Sequence, residues 1–237
     1  MKYFWLSFKA ILVKDIVTEL RAKQVLPTMV VLGMLIVWIL RIASEATSVG
    51  ATVTGPAALW IALLFSGLLA QERSFATEQQ QDCIYGLLLA PVDVGTIYLA
   101  KLLVNIVMLC IFEVILVPIV LVAFRLDVGG RWPAMIGVLL LGNIGISSVG
   151  TLFSAIVQLS RMRGSLLSIL VFVVLMPMMI PATFALLLIF GATPVELSGA
   201  GTLLFVGSFK TAVAYMIAFD AIFVVACWLL FGFAIKE

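Results

Sequence analysis

The chain has 237 residues, of which 64% are hydrophobic and 11% are charged, with a net charge of +2. A soluble globular domain does not have that composition; a protein that crosses a membrane many times does. There is no histidine, so imidazole is excluded as general base, proton shuttle, metal ligand or axial heme ligand, and the small net charge gives no reason to expect nucleic acid as a partner.

The first segment, "MKYFWLSFKAILVKDIVTELRAK", places Phe4, Trp5, Phe8, Ile11, Leu12 and Ile16 within one arc of a helix, with Lys2, Lys9 and Lys14 able to reach outward. That pattern predicts a helix lying in the membrane surface. Asp15 and Glu19 interrupt the arc, so the last turns need a polar neighbour such as Arg21, Lys23 or a partner protein, unless they form an ordinary solvated helix end. About 24 residues precede the first apolar run, which is long for the n-region of a cleaved signal peptide.

A bilayer core takes about 20 apolar residues per helix. Six runs meet that length: Val25 to Ile42, Ala51 to Leu69, Ile97 to Phe124, Trp132 to Leu159, Leu166 to Phe190 and Thr211 to Ala234. With both termini cytoplasmic, Lys2, Lys9, Lys14, Arg21, Lys23, Arg73, Lys101, Arg161, Arg163 and Lys236 lie inside; only Arg41, Arg125, Arg131 and Lys210 lie outside. The positive-inside rule favours that orientation.

Between the second and third runs sits a polar island, "QERSFATEQQQDCIYGLLLAPVD", from Gln71 to Asp93. Its apolar part, Ile84, Tyr85, Leu87, Leu88 and Leu89 before Pro91, is too short to span. Ile84 with Leu88 and Tyr85 with Leu89 are one turn apart, and Glu78, Gln79, Gln80 and Asp82 make the preceding turns polar. This describes a short amphipathic helix on the cytoplasmic face, suited to docking into a groove of a soluble partner; a re-entrant or interfacial cover over the bundle is the alternative.

Two carboxylates lie inside spans, Glu113 in the third and Asp220 in the sixth. An ionisable group in hydrocarbon is costly, so each should face the bundle interior, a wet cavity or a subunit interface. Each either serves a cavity or coupling site or is a protonated acid bonded to a neighbour such as Asn105 or Asn143. The fourth span carries Gly142, Gly145, Ser147, Gly150, Thr151 and Ser154, small residues that permit close helix approach. Pro118, Pro177 and Pro181 should kink or break their spans.

Motifs for catalysis are lacking. "GISSVG" is not the G-x-S-x-G elbow, and "GSFKT" (Gly207 to Thr211) imitates a phosphate loop without the adjacent Gly-Lys-Thr or a preceding strand. Cys83, Cys110 and Cys227 have neither metal-ligand nor disulfide spacing and read as small apolar fillers.

The run "PAALWIALLFSGLLAQERSFATEQQQDCIYGLLLAPVDVGTIYLAKLLVN" (Pro56 to Asn105), with its "LLAQER", "LLLAP" and "IYLAK", resembles the heme exporter protein B (CcmB) family, the permease subunit of the cytochrome c maturation ABC transporter. A second patch, "VLLLGNIG…RMRGSLLSILVFVVLMPMMIPA" (Val138 to Ala182), and the N-terminal "KDIVTELRAK" are similar to that family too. The resemblance implies an all-α membrane protein: a single permease domain over residues 1–237 of ABC-2-like (type V) fold, with six transmembrane helices and an N-terminal amphipathic interfacial helix. The 71–96 loop would hold a coupling helix, in which Glu72 and Arg73 anchor the base, Ser74 to Leu89 dock on an ATPase, and Lys101 starts the next span. Implied partners are an ABC ATPase subunit, a heme-handling membrane subunit, a small membrane subunit, a heme chaperone and a second permease copy, in a bacterial inner membrane. Heme would be handled by partner subunits and ATP by the ATPase, with no cofactor bound directly and no enzyme activity in this chain. No family role attaches to Glu113. A proton-coupled secondary carrier using Glu113 and Asp220, or a non-transporting scaffold, are the other readings of the same residues.

Overall fold

The computed structural model describes residues 2–22, 24–47, 50–80, 94–159, 165–192 and 208–234. Among the described residues the chain is helical and contains no strand. The helices are α1 (Lys2–Ala22), α2 (Val25–Thr47), α3 (Ala51–Gln80), α4 (Val94–Phe124), α5 (Trp132–Leu159), α6 (Ser165–Ile189) and α7 (Phe209–Ala234). The last six are long and apolar enough to cross a membrane, which agrees with the six runs read from sequence and makes this a multi-pass membrane protein.

α5 is the hub, in contact with α3, α4, α6 and α7; α2 packs on α3 and α4 at one side, and α7 on α4, α5 and α6 at the other. The sequence explains the arrangement. The buried positions of α2 are Val25, Met29, Gly33, Val37 and Ser44, a single narrow stripe, while Val31, Leu35, Trp38 and Ile39 are exposed. On α5, by contrast, Asn143, Ile146, Ser147, Ser148, Val149 and Thr151 are all buried, because small residues let neighbours close on every side. At Gly33 of α2 an added Cβ would stand 2.7 Å from Cζ of Phe112 on α4, so glycine sets that crossing distance.

Prolines do not break their spans. Pro56 lies inside α3, Pro118 inside α4, and Pro177 and Pro181 inside α6, so of the kink or break expected at Pro118, Pro177 and Pro181 the break does not occur. Within a packed membrane bundle the surrounding helices keep the ladder in place despite the missing N–H.

α3 runs unbroken for 30 residues to Gln80, well past Leu69, where its apolar run ends. At 1.5 Å per residue it is about 45 Å long, against roughly 30 Å of hydrocarbon. The polar segment Gln71–Gln80 is thus a helical extension of the second span.

α1 does more than lie on the surface. Ile11 is buried in a cluster with Ile97, Tyr98, Leu102 and Cys227, and Phe8 packs against it. Asp15 is buried as well, with Oδ2 3.6 Å from Nζ of Lys101 and Oδ1 3.1 Å from Nζ of Lys14. The polar neighbour required for the end of α1 is therefore the second turn of α4, and a solvated helix end is excluded at Asp15. Lys101 itself is buried and lies seven residues inside α4, which begins at Val94, not at the start of the span.

Arginines tie one end of the bundle. Arg131 donates from Nη1 to the Leu188 carbonyl at 2.8 Å, completing the C-terminus of α6 as cations do at such ends. Arg41 pairs with Glu45 at 2.6 Å and lies 5.9 Å from the Phe124 ring centroid. α4 ends with Arg125 at φ 51°, where Leu126 N–H donates to the Leu121 carbonyl at 3.0 Å, a left-handed C-cap that glycine usually fills.

"GSFKT" is a helix cap. Ser208 Oγ accepts from Thr211 N–H at 3.3 Å while Thr211 Oγ1 accepts from Ser208 N–H at 2.9 Å, a reciprocal box at the start of α7 with threonine in the usual place of Glu or Gln. Ser208→Ala is expected to cost about 1 kcal/mol and Ser208→Asp to retain most of it, measured by thermal unfolding in detergent.

Candidate functional site

The hydrogen-bonded polar residues inside the bundle converge on α5. Asn143 Nδ2 donates to Glu113 Oε2 at 2.9 Å and approaches Cys110 Sγ at 3.5 Å. Asn105 Nδ2 donates to Thr151 Oγ1 at 2.8 Å, and Tyr98 donates its hydroxyl to the Ser148 carbonyl at 3.1 Å. All these links join α4 to α5. Of the two amides the sequence offered as partners for Glu113, Asn143 holds it and Asn105 serves Thr151.

Asp220, on α7, meets α5 at another side. A Cβ at Gly145 would lie 2.9 Å from its Oδ1 and would overlap Met178 of α6, so Asp220 sits in the groove between α5, α6 and α7. Gly145 and Asn143 are two residues apart, which places them about 3 Å apart along the axis and about 200° around it. The two acids therefore flank α5 at one level, on opposite sides. The structure does not bring them into one pocket.

Trp60 and Gln71 of α3 complete the surround. The space that a Cβ would take at Gly142 is filled by the Trp60 indole, and the space at Gly150 by the Gln71 carboxamide. Several of these buried atoms have no hydrogen-bond partner among the described residues: Glu113 Oε1, Asn143 Oδ1, Ser147 Oγ, Ser154 Oγ, both Gln71 amide atoms and both Asp220 oxygens. Burying such atoms unpaired costs several kcal/mol each in an apolar medium.

Sequence reading found Glu113, Asp220, Asn105 and Asn143 and assigned the serines and glycines of α5 to packing. It missed Gln71 and Tyr98 as buried polar groups. The signal for Gln71 was its place at the last apolar turn of the second span, where a side chain points either at water or into the bundle.

Of the docking residues, Glu72 ends the span-length part of α3, and Arg73 and Glu78 belong to its extension. Asp82, Ile84, Tyr85, Leu87, Leu88 and Leu89 lie outside the described residues. Cys83 does too. Among the described residues no group of three or more Cys, Asp and Glu could hold a metal ion.

No curated protein matches the sequence. A family model does, over residues 6–227 of the 237, and its description is CcmB protein. That match takes in the first five spans, most of the sixth, most of α1 and both patches that carried the resemblance, and it agrees with the all-helical, six-span architecture. The chain belongs to the CcmB protein family, the transmembrane permease component of the heme exporter system of cytochrome c maturation.

Proposed function

We propose that this chain transmits force between a separate ATPase subunit and the membrane steps of cytochrome c assembly, and carries out no bond chemistry of its own. ATP-driven closure of two ATPase subunits would move the islands of two permease copies. Through α3 that motion would rock the spans against one another, and it would be used to release or deliver the heme-loaded chaperone with the help of a heme-handling and a small membrane subunit. The observation that carries this reading is the continuity of α3: one helix of 30 residues runs from the bundle core through the polar "QERSFATEQQ" that opens the island. A helix of that length is a stiff rod, and its inner part is gripped by α2, α4, α5 and α6. A push at its outer end is delivered to the hub helix at Trp60 and Gln71. An ABC-2-like arrangement in a bacterial inner membrane, with both termini cytoplasmic, fits the charge asymmetry of the loops.

Copurification tests the reading. An ATPase should accompany the tagged chain from membranes, and its hydrolysis rate should change when this subunit is present; if no ATPase copurifies, or its rate is indifferent to the chain, the coupling reading is wrong.

The second reading, a proton-coupled carrier, is favoured by one observation: both buried acids have oxygens without partners. It differs in what it requires of Glu113 and Asp220. Where the two acids only satisfy packing, Glu113→Gln and Asp220→Asn retain cytochrome c maturation at wild-type protein levels, because the amide oxygen of Gln can still accept from Asn143. Loss of maturation in a variant that still accumulates in the membrane gives the acid a coupling or cavity role, and the carrier reading requires that loss.

A further inference from the structure

Four residues of α5 fall on one line. Asn143, Ser147, Gly150 and Ser154 are spaced i, i+4, i+7 and i+11, which puts them within an arc of about 60° and along about 16 Å of helix. The two neighbours on that line are Glu113 of α4, bonded to Asn143, and Gln71 of α3, whose amide occupies the gap at Gly150. Every side chain on the line is more than nine-tenths buried: Gln71 is 1% exposed, Asn143 and Ser147 0%, Ser154 1% and Glu113 7%. Each also keeps at least one polar atom without a partner: both amide atoms of Gln71, Oγ of Ser147 and of Ser154, Oδ1 of Asn143 and Oε1 of Glu113.

A stripe of small residues alone would be a packing seam. This one is different, because six buried polar atoms lie along one face of α5 where it meets α3 and α4, and none has a partner among the described residues. Their chemistry limits what can satisfy them. Gln71 Nε2 offers donor hydrogens and needs an acceptor, whereas Gln71 Oε1, Asn143 Oδ1 and Glu113 Oε1 accept and need a donor. A bare cation cannot accept, and an apolar lipid tail can do neither. Water is the smallest group that does both, and buried waters are found making about three bonds to groups left unpaired in this way.

We propose that a column of internal waters opens a crevice along this seam and gives Glu113 aqueous access from the end of the bundle where α3 projects, with Ser154 at its mouth and Gln71 just inside it. The column follows one face of the hub helix, from Ser154 past Gln71 and Ser147 to the Asn143–Glu113 pair in the middle of the span. Asp220, on the opposite side of α5, is not on it. Nothing in this inference depends on an ATPase partner, so its failure would leave the coupling reading standing.

Thiol hydrogen exchange tests it. Ser147→Cys and Ser154→Cys are nearly isosteric, and in a background where Cys83, Cys110 and Cys227 are replaced by Ala the S–H stretch reports only the introduced group. Purified protein in detergent is transferred to D2O and the S–H to S–D conversion is followed by infrared spectroscopy. Conversion at both positions is expected to be at least tenfold faster than at Ala182→Cys, a fully buried position in the apolar part of α6, and Gln71→Leu is expected to slow it at Ser147→Cys at least fivefold. Equal rates at Ser147→Cys and Ala182→Cys overturn the proposal. A second measurement reads a sign. A hydroxyl bonded to water loses stability on truncation, whereas a dry, unpaired hydroxyl gains it; Ser147→Ala and Ser154→Ala are thus expected to lower the melting temperature, and a rise in both would mean the crevice is dry.

Discussion

Gly142→Val is expected to cost about 1–3 kcal/mol or more, the usual penalty for forcing extra carbons into a filled core, and to deplete folded protein from the membrane. The reason is local. The place a Cβ would occupy at Gly142 already holds the six-membered ring of Trp60, and that indole is 2% exposed, with no free space to swing into. Yielding must come from the backbones of α3 and α5, which are held by α4 and α6 as well. Gly137 and Gly232 serve as controls, since a Cβ at either meets nothing within 4 Å; Gly137→Val and Gly232→Val should leave the melting temperature in detergent nearly unchanged. The pair can also be tested as a cycle. Trp60→Leu removes the obstacle, so the double variant Gly142→Val with Trp60→Leu should be more stable than the sum of the single effects allows. Strict additivity would mean that the two residues do not limit each other.

Gly142 also shows what a sequence can and cannot disclose about this molecule. Spans are legible because lipid imposes one rule, about 20 apolar residues per crossing, and runs such as Trp132 to Leu159 coincide with the helices that form. Hydropathy marks where lipid ends, not where a helix ends. That is why α3 was read as stopping near Leu69, although the residues that follow, "AQERSFATEQQ", are mostly strong helix formers and carry it on to Gln80. Small residues on α5 are legible as close-packing positions; which side chain fills each gap is not, because Trp60 and Gly142, or Gln71 and Gly150, are about 80 residues apart in the chain and meet only once the bundle is assembled.

Buried charge follows the same division. That Glu113 and Asp220 avoid lipid follows from solvation cost alone, but the choice between Asn105 and Asn143 depends on the register of α4 against α5. The Asp15 and Lys101 pair is a case where chemistry announced the need and topology supplied the answer. An acid on the apolar arc of α1 had to find a polar neighbour, and it found one across the bundle surface on α4. The phosphate-loop imitation at "GSFKT" resolves into a helix cap for a comparable reason: serine, threonine and glycine suit both settings, and only the strand and Gly-Lys-Thr of a true loop distinguish them.

Leu87→Asp and Leu88→Asp are each expected to weaken the complex with the ATPase at least tenfold while leaving the permease inserted in the membrane. The segment 84–89 holds five apolar or aromatic side chains with a proline close behind and follows directly on the extension of α3. Burying one leucine-sized side chain contributes about 1.5–3 kcal/mol, and a tenfold loss of affinity needs only about 1.4 kcal/mol; an aspartate in an apolar groove adds its own desolvation penalty to that loss. Insertion should be spared because the apolar run from Ile84 to Leu89 is too short to cross a bilayer. The measurement is recovery of the ATPase with tagged permease from solubilised membranes, normalised to permease recovered, at several ATPase concentrations. A docking element predicts loss of the ATPase and of cytochrome c maturation together. Should both variants retain the ATPase as tightly as the unaltered chain, the leucines would cover the bundle end, and force would have to enter α3 through its own polar extension at residues 71–80.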